Sequence, residues 1–186
     1  MANRKTSEII YNLNSAFAAE TRAGNLTKEI SLCPNPIVVD WNGVLASDNG
    51  LLELNPEAKA SLEYMIAHGL TPFIITLADS WADMVDLLAQ IIPDVTGKVV
   101  VMTKETWSYI DPNAPWQKHV GGLFPGKNLI PIIDDDKAAT TKNPGMIGFH
   151  VKTFLPQSEI LDALNHYEYQ SLIVATLSAV AHYDKG

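Results

Sequence analysis

The sequence contains one cysteine, few positive charges and no long hydrophobic run, and each of these scarcities excludes a class of protein. Cys33 is the only cysteine among 186 residues, so no intrachain disulfide can form and nothing points to an oxidising compartment. The 13 Lys and Arg residues are outnumbered by 21 Asp and Glu, and the formal net charge is −8. Nucleic-acid binding without sequence preference draws its energy from neutralised phosphates, so this charge does not favour it.

The apolar segments are too short for membrane insertion or export. The longest, Leu172 to Ala181, is interrupted by Thr176 and Ser178 and falls short of the roughly 20 residues that a membrane-spanning helix requires. The N-terminus begins Met-Ala-Asn-Arg-Lys and continues as mixed polar and apolar sequence, unlike a signal peptide. We therefore expect a cytoplasmic protein without membrane partners.

The composition predicts a folded protein of one domain. Hydrophobic residues make up 47% of the chain and charged residues 18%, which is typical of a globular protein rather than a disordered one. The length suits a single domain, and no linker or internal repeat divides it. We expect one domain over residues 1–186, with a helical extension over about 1–30, a core over about 36–155 and C-terminal helices over about 156–186.

Short apolar runs alternate with amphipathic helical patterns along the chain. The predicted strands are Ile37–Val39, Thr71–Thr76, Val99–Met102, Leu129–Ile133 and Met146–Val151. The predicted helices are about Thr6–Ala23, a second that begins at Asn55 and Pro56 and ends at Gly69, a third from Asp79 or Ser80 to Pro93, and a C-terminal one that includes Ile160, Leu161 and Leu164. This alternation predicts an α/β, Rossmann-like three-layer fold, in which helices cover both faces of a mostly parallel sheet.

The most informative residues are the polar ones at the ends of the predicted strands. Asp40 follows the first strand, Thr76 ends the second, and Asp134 and Asp135 follow the fourth. In a parallel sheet these ends share the edge at which ligands bind. A carboxylate can attack phosphorus, carboxylate oxygens suit Mg²⁺, and a hydroxyl with a Lys can hold phosphoryl oxygens. With Lys118, the chain contains every group that this chemistry requires.

Each of these residues also has a purely structural interpretation. A lone Asp after a strand is usually a turn or cap residue, and the run Asp134 to Asp136 could cap a following helix. Thr76 is β-branched and therefore common in strands, and Lys118 could be an ordinary solvated lysine. It is the joint occurrence of these residues, in this order, that favours a functional site.

Three segments resemble the sequence motifs of the haloacid-dehalogenase (HAD) superfamily. Residues Ile37–Leu45 read IVVDWNGVL and resemble motif I, a hydrophobic strand followed by Asp-x-Asp-Gly-Thr/Val-Leu. Phe73–Thr76 resembles motif II, and Ile132–Asp135 resembles the acidic motif IV. The similarity in order and spacing covers about residues 36–151. The run Thr76–Asp83 and the segment from Lys118 to Asp135 are in turn similar to the small C-terminal-domain and NIF-like phosphatases.

The resemblance implies a magnesium site built on the acidic residues. It implies Asp40 as both nucleophile and metal ligand, and Asp135 as the second carboxylate ligand. Asn42 would supply its backbone carbonyl to Mg²⁺, and Asp134 would lie next to the metal.

The resemblance also implies a phosphate site. Thr76 and Leu77 would bind the phosphoryl group together with a lysine. Lys104, Lys118 and Lys127 all precede the fourth predicted strand. Lys118 is preferred, because it leaves one turn and one strand before Asp134 as in the NIF-like enzymes, and Lys104 is the second choice.

The sequence departs from the family pattern at Asn42. Most phosphatases of the superfamily have a second Asp here, which protonates the leaving group and later activates water. An amide cannot do this, and the loss of such a group typically costs about 10²–10⁴-fold in rate. We expect a site that holds Mg²⁺ and phosphate better than it turns over, unless a group such as His119 replaces the acid.

The intervals between the motifs leave no room for a full cap domain. The site would then be open to large substrates unless the N-terminal helix or a second subunit, as in a homodimer, covers it.

Two functions follow from the sequence. One is a Mg²⁺-dependent phosphohydrolase that forms an aspartyl-phosphate and acts on a phosphorylated small molecule or macromolecule. The alternative is a non-catalytic HAD-like binding module.

Overall fold

The structure is a computed structural model that describes residues 35–47, 53–76, 88–90, 99–102, 129–141, 145–155 and 170–184. Within these ranges strands and helices alternate along the chain. In order they are β1 (Pro36–Asp40), α1 (Ala58–Ala67), β2 (Thr71–Ile75), β3 (Val100–Met102), β4 (Ile130–Asp134), α2 (Lys137–Thr141), β5 (Met146–His150) and α3 (Leu172–Tyr183). Residues 88–90 are helical as well.

The five strands form one parallel sheet in the order β3-β2-β1-β4-β5. The central strands β1 and β4 are buried along their whole length, as expected of apolar runs covered on both faces. After β1 the chain adds β2 and β3 on one side and then β4 and β5 on the other. The predicted α/β, Rossmann-like fold is therefore confirmed, and its topological switch point lies between β1 and β4.

The predicted strands are confirmed, with corrections at their ends. Leu129 was expected to begin the fourth strand, but its φ of 47° is a left-handed conformation that does not continue a strand. β4 instead begins one residue later and includes Asp134. β2 ends at Ile75, although the Thr76 N–H still donates to the Met102 carbonyl at 2.9 Å. The polar residues at the strand ends thus remain attached to the sheet.

The start of α1 is also corrected. Asn55 and Pro56 were expected to begin this helix, but the helix starts at Ala58. The Asn55 side chain accepts a hydrogen bond from the Glu57 N–H at 2.9 Å and donates one to the Val44 carbonyl at 2.8 Å. Asn55 therefore connects the segment just before the helix to the loop after β1.

Helix α3 is attached to the rest of the fold at both ends. At its N-terminus, the Glu57 carboxylate accepts a hydrogen bond from the Ile173 N–H at 2.9 Å, a favourable position for a negative charge. At its C-terminus, the Tyr183 hydroxyl donates to the Pro36 carbonyl at the start of β1. Burial raises the pKa of the Tyr183 hydroxyl. These contacts hold α3 in place beside α1 and β1.

Several expected elements lie outside the described residues. They are the N-terminal helix, most of the helix before Pro93, the segment 103–128 and the helical stretch around Ile160 to Leu164. The division into extension, core and C-terminal helices, and the small size of any cap, therefore stay predictions. Among the described helices, none combines the length and hydropathy that crossing a bilayer would take.

The Ser61→Ala substitution in α1 is expected to stabilise the protein. Ser61 is fully buried, and its hydroxyl has no hydrogen-bond partner among the described residues. Alanine removes a buried unsatisfied polar atom and has the higher helix propensity, so the free energy of unfolding should rise by about 1 kcal/mol. Urea denaturation would measure the change. Ser178→Ala is the control, because that hydroxyl donates to the Val174 carbonyl near the surface. A loss of stability in Ser61→Ala would contradict the prediction.

Candidate active site

The strand order brings Asp40 and Asp134 side by side. In the parallel pairing of β1 with β4, Val38 lies opposite Ile132 and Val39 opposite Ile133. The next residues in this register are Asp40 and Asp134, which end their strands. Both carboxylates therefore stand at the switch point of the sheet, where α/β proteins bind their ligands.

Asp40, Asp134 and Asp135 together form a cluster of three carboxylates. One carboxylate oxygen from each residue lies within 4.8 Å of the other two. Ligand oxygens around one octahedral Mg²⁺, at about 2.1 Å from the ion, lie about 3 Å apart when adjacent and about 4 Å apart when opposite. Asp40 is only 7% exposed and Asp134 is fully buried, so the repulsion between these negative charges is weakly screened. The spacing and the charge both fit a small divalent cation.

The acidic residues also accept backbone hydrogen bonds of the kind that turn and helix-cap residues make. One Asp40 oxygen accepts from the Trp41 N–H at 2.8 Å, and one Asp134 oxygen accepts from the Asp136 N–H at 2.8 Å. Asp136 accepts from the Ala138 N–H at 2.7 Å, in the first turn of α2. Thus Asp136 caps the following helix, whereas the backbone contacts of Asp40 and Asp134 orient carboxylates that belong to the cluster.

The loop after β1 passes closely over Asp135. The Trp41 carbonyl accepts from the Leu45 and Ala46 N–H groups at 3.0 and 2.9 Å, which closes the loop. At its tip Gly43 has a φ of 75°, and a Cβ atom there would lie 2.2 Å from Oδ2 of Asp135. Glycine is therefore required both by the backbone conformation and by the carboxylate beneath it.

Asn42 and Thr76 are joined by a hydrogen bond. The Thr76 hydroxyl donates to Oδ1 of Asn42 at 2.9 Å, and Thr76 is 1% exposed. This bond orients the Asn42 carboxamide, so that its oxygen faces Thr76. Thr76 would have to exchange this bond before its hydroxyl could donate to a phosphoryl group. The neighbouring Trp41 is 1% exposed and packs in the core, so it does not line the entrance to the site.

The structure brings together five of the predicted site residues, Asp40, Asn42, Thr76, Asp134 and Asp135, at one edge of the sheet. Leu77, Lys118, Lys104, Lys127 and His119 lie outside the described residues. Their proposed roles stay predictions.

Sequence reasoning missed two contacts made by the end of β5 and by the segment that follows it. The ring of His150, at the end of β5, lies with Nε2 2.9 Å from the Asp135 carbonyl. The Phe154 N–H donates to the Gly43 carbonyl at 2.6 Å. A signal was present, because His150 is the next-to-last residue of the predicted strand Met146–Val151, and the carboxyl ends of parallel strands meet at one edge of the sheet.

Comparison with known proteins supports the fold assignment. No family model matches the sequence, and no curated protein matches it either. A solved structure of D,D-heptose 1.7-bisphosphate phosphatase from B. bronchiseptica, complexed with magnesium and phosphate, is similar with a TM-score of 0.50 and 10% sequence identity. The alignment covers 80% of this chain and 99% of that one. The chain therefore has the fold of the HAD-like superfamily, as the motifs predicted.

The Gly43→Ala substitution should weaken both folding and metal binding. The left-handed backbone at residue 43 should cost the variant about 1–3 kcal/mol of the free energy of unfolding. The new methyl group must also displace the Asp135 carboxylate, which should lower the affinity for Mg²⁺. Denaturation without Mg²⁺ and calorimetric Mg²⁺ titration would measure the two effects. Gly69→Ala is the matched control, because Gly69 has a φ of 76° and no atom within 4 Å of the added Cβ. Equal Mg²⁺ affinity in the two variants would contradict the prediction.

Proposed function

We propose that the protein is a Mg²⁺-dependent phosphohydrolase that forms an aspartyl-phosphate at Asp40. The observation that carries the proposal is the cluster of three carboxylates at the switch point of a HAD-like sheet. It is supported by the similar phosphatase, which was crystallised with magnesium and phosphate. The substrate would be a phosphorylated small molecule or a macromolecular phosphoester.

In this proposal, an Asp40 oxygen attacks phosphorus while the bond from phosphorus to the leaving oxygen breaks. The Trp41 N–H holds the other end of the same carboxylate at 2.8 Å, which limits the orientations of the nucleophile. Water then attacks phosphorus, releases inorganic phosphate and restores the Asp40 carboxylate. Two displacements thus replace one direct attack by water.

The acidic cluster would hold the metal ion. Asp40, Asp135 and the backbone carbonyl of Asn42 would be its ligands, with Asp134 beside them. When bound, Mg²⁺ neutralises phosphate charge and reduces the repulsion between the substrate and the Asp40 carboxylate. Without a cation, three carboxylates would repel the anionic substrate, because like charges at these distances interact strongly in a poorly solvated site.

The phosphoryl oxygens would be bound on the β2 side of the site. The proposed groups are the Thr76 hydroxyl, the backbone at Leu77 and the Lys118 ammonium group. Such donors stabilise the charge that develops on the transferring phosphoryl group. The expectation that a second subunit or the N-terminal helix covers this site also stays a prediction.

The Asn42 amide would make both steps slow. In the first step it can donate a hydrogen bond to the leaving oxygen but cannot protonate it. In the second step it cannot remove a proton from water. The same observation favours a second candidate function, a non-catalytic HAD-like binding module that retains the metal and phosphate sites without turnover.

The first experiment tests for the metal site in the folded protein. Millimolar Mg²⁺ should raise the melting temperature of the wild type, because the unfolded chain lacks the site. The gain in stability should reach about 2.7 kcal/mol when free Mg²⁺ is about one hundred times Kd. The Asp40→Ala, Asp135→Ala double variant should lose this response. The control pairs Glu63→Ala with Asp184→Ala, which removes two exposed carboxylates from other surfaces. Equal melting shifts in the wild type and in both double variants would show non-specific cation binding and refute the site.

A further inference from the structure

The third carboxylate of the cluster lies beyond the regular sheet. Pairing between β4 and β5 ends with Asp134 opposite His150. The Val151 N–H still donates to the Asp134 carbonyl at 3.1 Å, and Asp135 follows the last residue of β4. Asp40 and Asp134 are the final residues of their strands, so the sheet holds their backbones, whereas Asp135 lies one residue past the end of β4.

The contact next in line is made by a side chain. Nε2 of His150 lies 2.9 Å from the Asp135 carbonyl oxygen. A carbonyl oxygen can only accept a hydrogen bond, so Nε2 carries the hydrogen and donates it. The imidazole thus continues the sequence of hydrogen bonds between the β4 and β5 chains by one residue.

The Asp135 side chain is confined as well as its backbone. The Gly43 backbone approaches so closely that a Cβ atom there would overlap the Asp135 carboxylate, with 2.2 Å to Oδ2. A shift of the Asp135 backbone would therefore move the carboxylate either into this loop or away from Asp40 and Asp134. The bond from His150 to the Asp135 carbonyl opposes such a shift.

We propose that His150 is a positioning residue, which holds the Asp135 carboxylate where the three acidic side chains can share one divalent cation. The inference rests on the metal site of the proposed function, and it is independent of whether the site turns over a substrate. His150 would act through Asp135 and not as a metal ligand. Among the described residues, the potential ligand atoms that lie close enough together to share an ion come from the three Asp side chains. Partners that orient metal ligands in this way typically change metal affinity by about 10–100-fold when they are lost.

The experiment compares two substitutions of similar length, His150→Gln and His150→Met. Glutamine offers an N–H group that can donate to the Asp135 carbonyl, and methionine offers none. The Kd for Mg²⁺ would be measured by calorimetric titration of the purified protein, with circular dichroism to establish that each variant is folded. We expect His150→Met to weaken Mg²⁺ binding by about 10-fold or more, and His150→Gln to recover part of this loss.

The matched control is His182→Met. His182 makes the same kind of contact, with Nε2 3.0 Å from the Leu129 carbonyl, at the opposite edge of the sheet from the cluster. Its loss should lower the melting temperature without a change in the Mg²⁺ affinity. This control separates positioning of a metal ligand from a general contribution to stability.

The possible outcomes are distinct. If the wild type binds Mg²⁺ and both His150 variants bind it with the Kd of the wild type, His150 has no positioning role. If His182→Met weakens binding as much as His150→Met, the effect is one of stability and the inference is also wrong. If the wild type binds no Mg²⁺, the metal site of the proposed function fails and this inference fails with it. Should His150→Met fail to fold, a weaker Kd in His150→Gln than in His182→Met would support the role and an equal Kd would refute it.

Discussion

Phosphate esters with acidic leaving groups should react far faster than alkyl phosphates, by about 10²–10⁴-fold. The expectation rests on the Asn42 carboxamide, whose oxygen accepts from the Thr76 hydroxyl at 2.9 Å. An amide in this position cannot protonate the departing oxygen, so the leaving group must depart as an anion. The leaving groups of aryl and acyl phosphates are stable anions, whereas the alkoxides that alkyl phosphates would release are strongly basic.

The same amide should make the second step limiting. Because Asn42 cannot activate water, the aspartyl-phosphate at Asp40 should accumulate. With p-nitrophenyl phosphate and Mg²⁺, rapid mixing should show a burst of about one equivalent of p-nitrophenol per site before a slow steady state. The Asp40→Asn variant should show neither phase, since it lacks the proposed nucleophile.

Two results would contradict this mechanism. Linear release without a burst, together with equal kcat/KM for aryl and alkyl esters, would mean that another group supplies the acid. Absence of any Asp40-dependent release, in a protein that still binds Mg²⁺, would instead favour the binding-module function. Glycerol 3-phosphate and acetyl phosphate extend the comparison to alkyl and acyl leaving groups. The measurement is kcat/KM for the release of inorganic phosphate, because kcat/KM reports the first step even when the second step limits turnover.

The Asn42→Asp substitution should raise steady-state turnover by about 10-fold or more. Aspartate is nearly the same shape as asparagine, and one of its oxygens can still accept from the Thr76 hydroxyl. The other oxygen replaces the amide nitrogen and can carry a proton to the leaving group and take one from water. The largest gain should be on alkyl phosphates, because their leaving groups most need a proton.

The measurement is steady-state phosphate release by the wild type and by Asn42→Asp at saturating Mg²⁺. The Asp40→Asn, Asn42→Asp double variant is the control, and it should be inactive because the acid is useful only with the nucleophile. Turnover that stays the same or falls, in a folded variant with unchanged Mg²⁺ affinity, would show that the site depends on the amide itself.

Much of the sheet and of the acidic site could be predicted from local sequence. Apolar β-branched runs such as Ile37–Val39 indicate strands buried on both faces. A polar side chain at such a position would lose its hydrogen bonds to water, and its burial would cost free energy unless the protein replaced them. For the same reason the first polar residues after these runs, Asp40 and Asp134 among them, had to lie at or near the strand ends. The Asn42 substitution is likewise visible in the sequence, since it is a matter of chemical identity rather than of position.

The limits of the helices and strands depended on contacts that local patterns do not contain. Leu129 is as apolar as its neighbours, yet its left-handed backbone excludes it from β4. Asn55 has the sequence of a helix cap, yet its side chain also donates to the Val44 carbonyl and α1 begins later. Neither feature is visible in the local pattern of apolar and polar residues.

The sequence by itself therefore determined the α/β class, the parallel strands and the identity of the acidic residues, because each depends on side chains close together in the chain. Only the tertiary structure decided the strand order that places Asp40 beside Asp134. It alone also decided the contacts of Gly43 and His150 with Asp135. These contacts join segments that lie far apart in the sequence, and packing of the whole sheet brings them together. Their geometry is a property of the fold that no local pattern of residues contains.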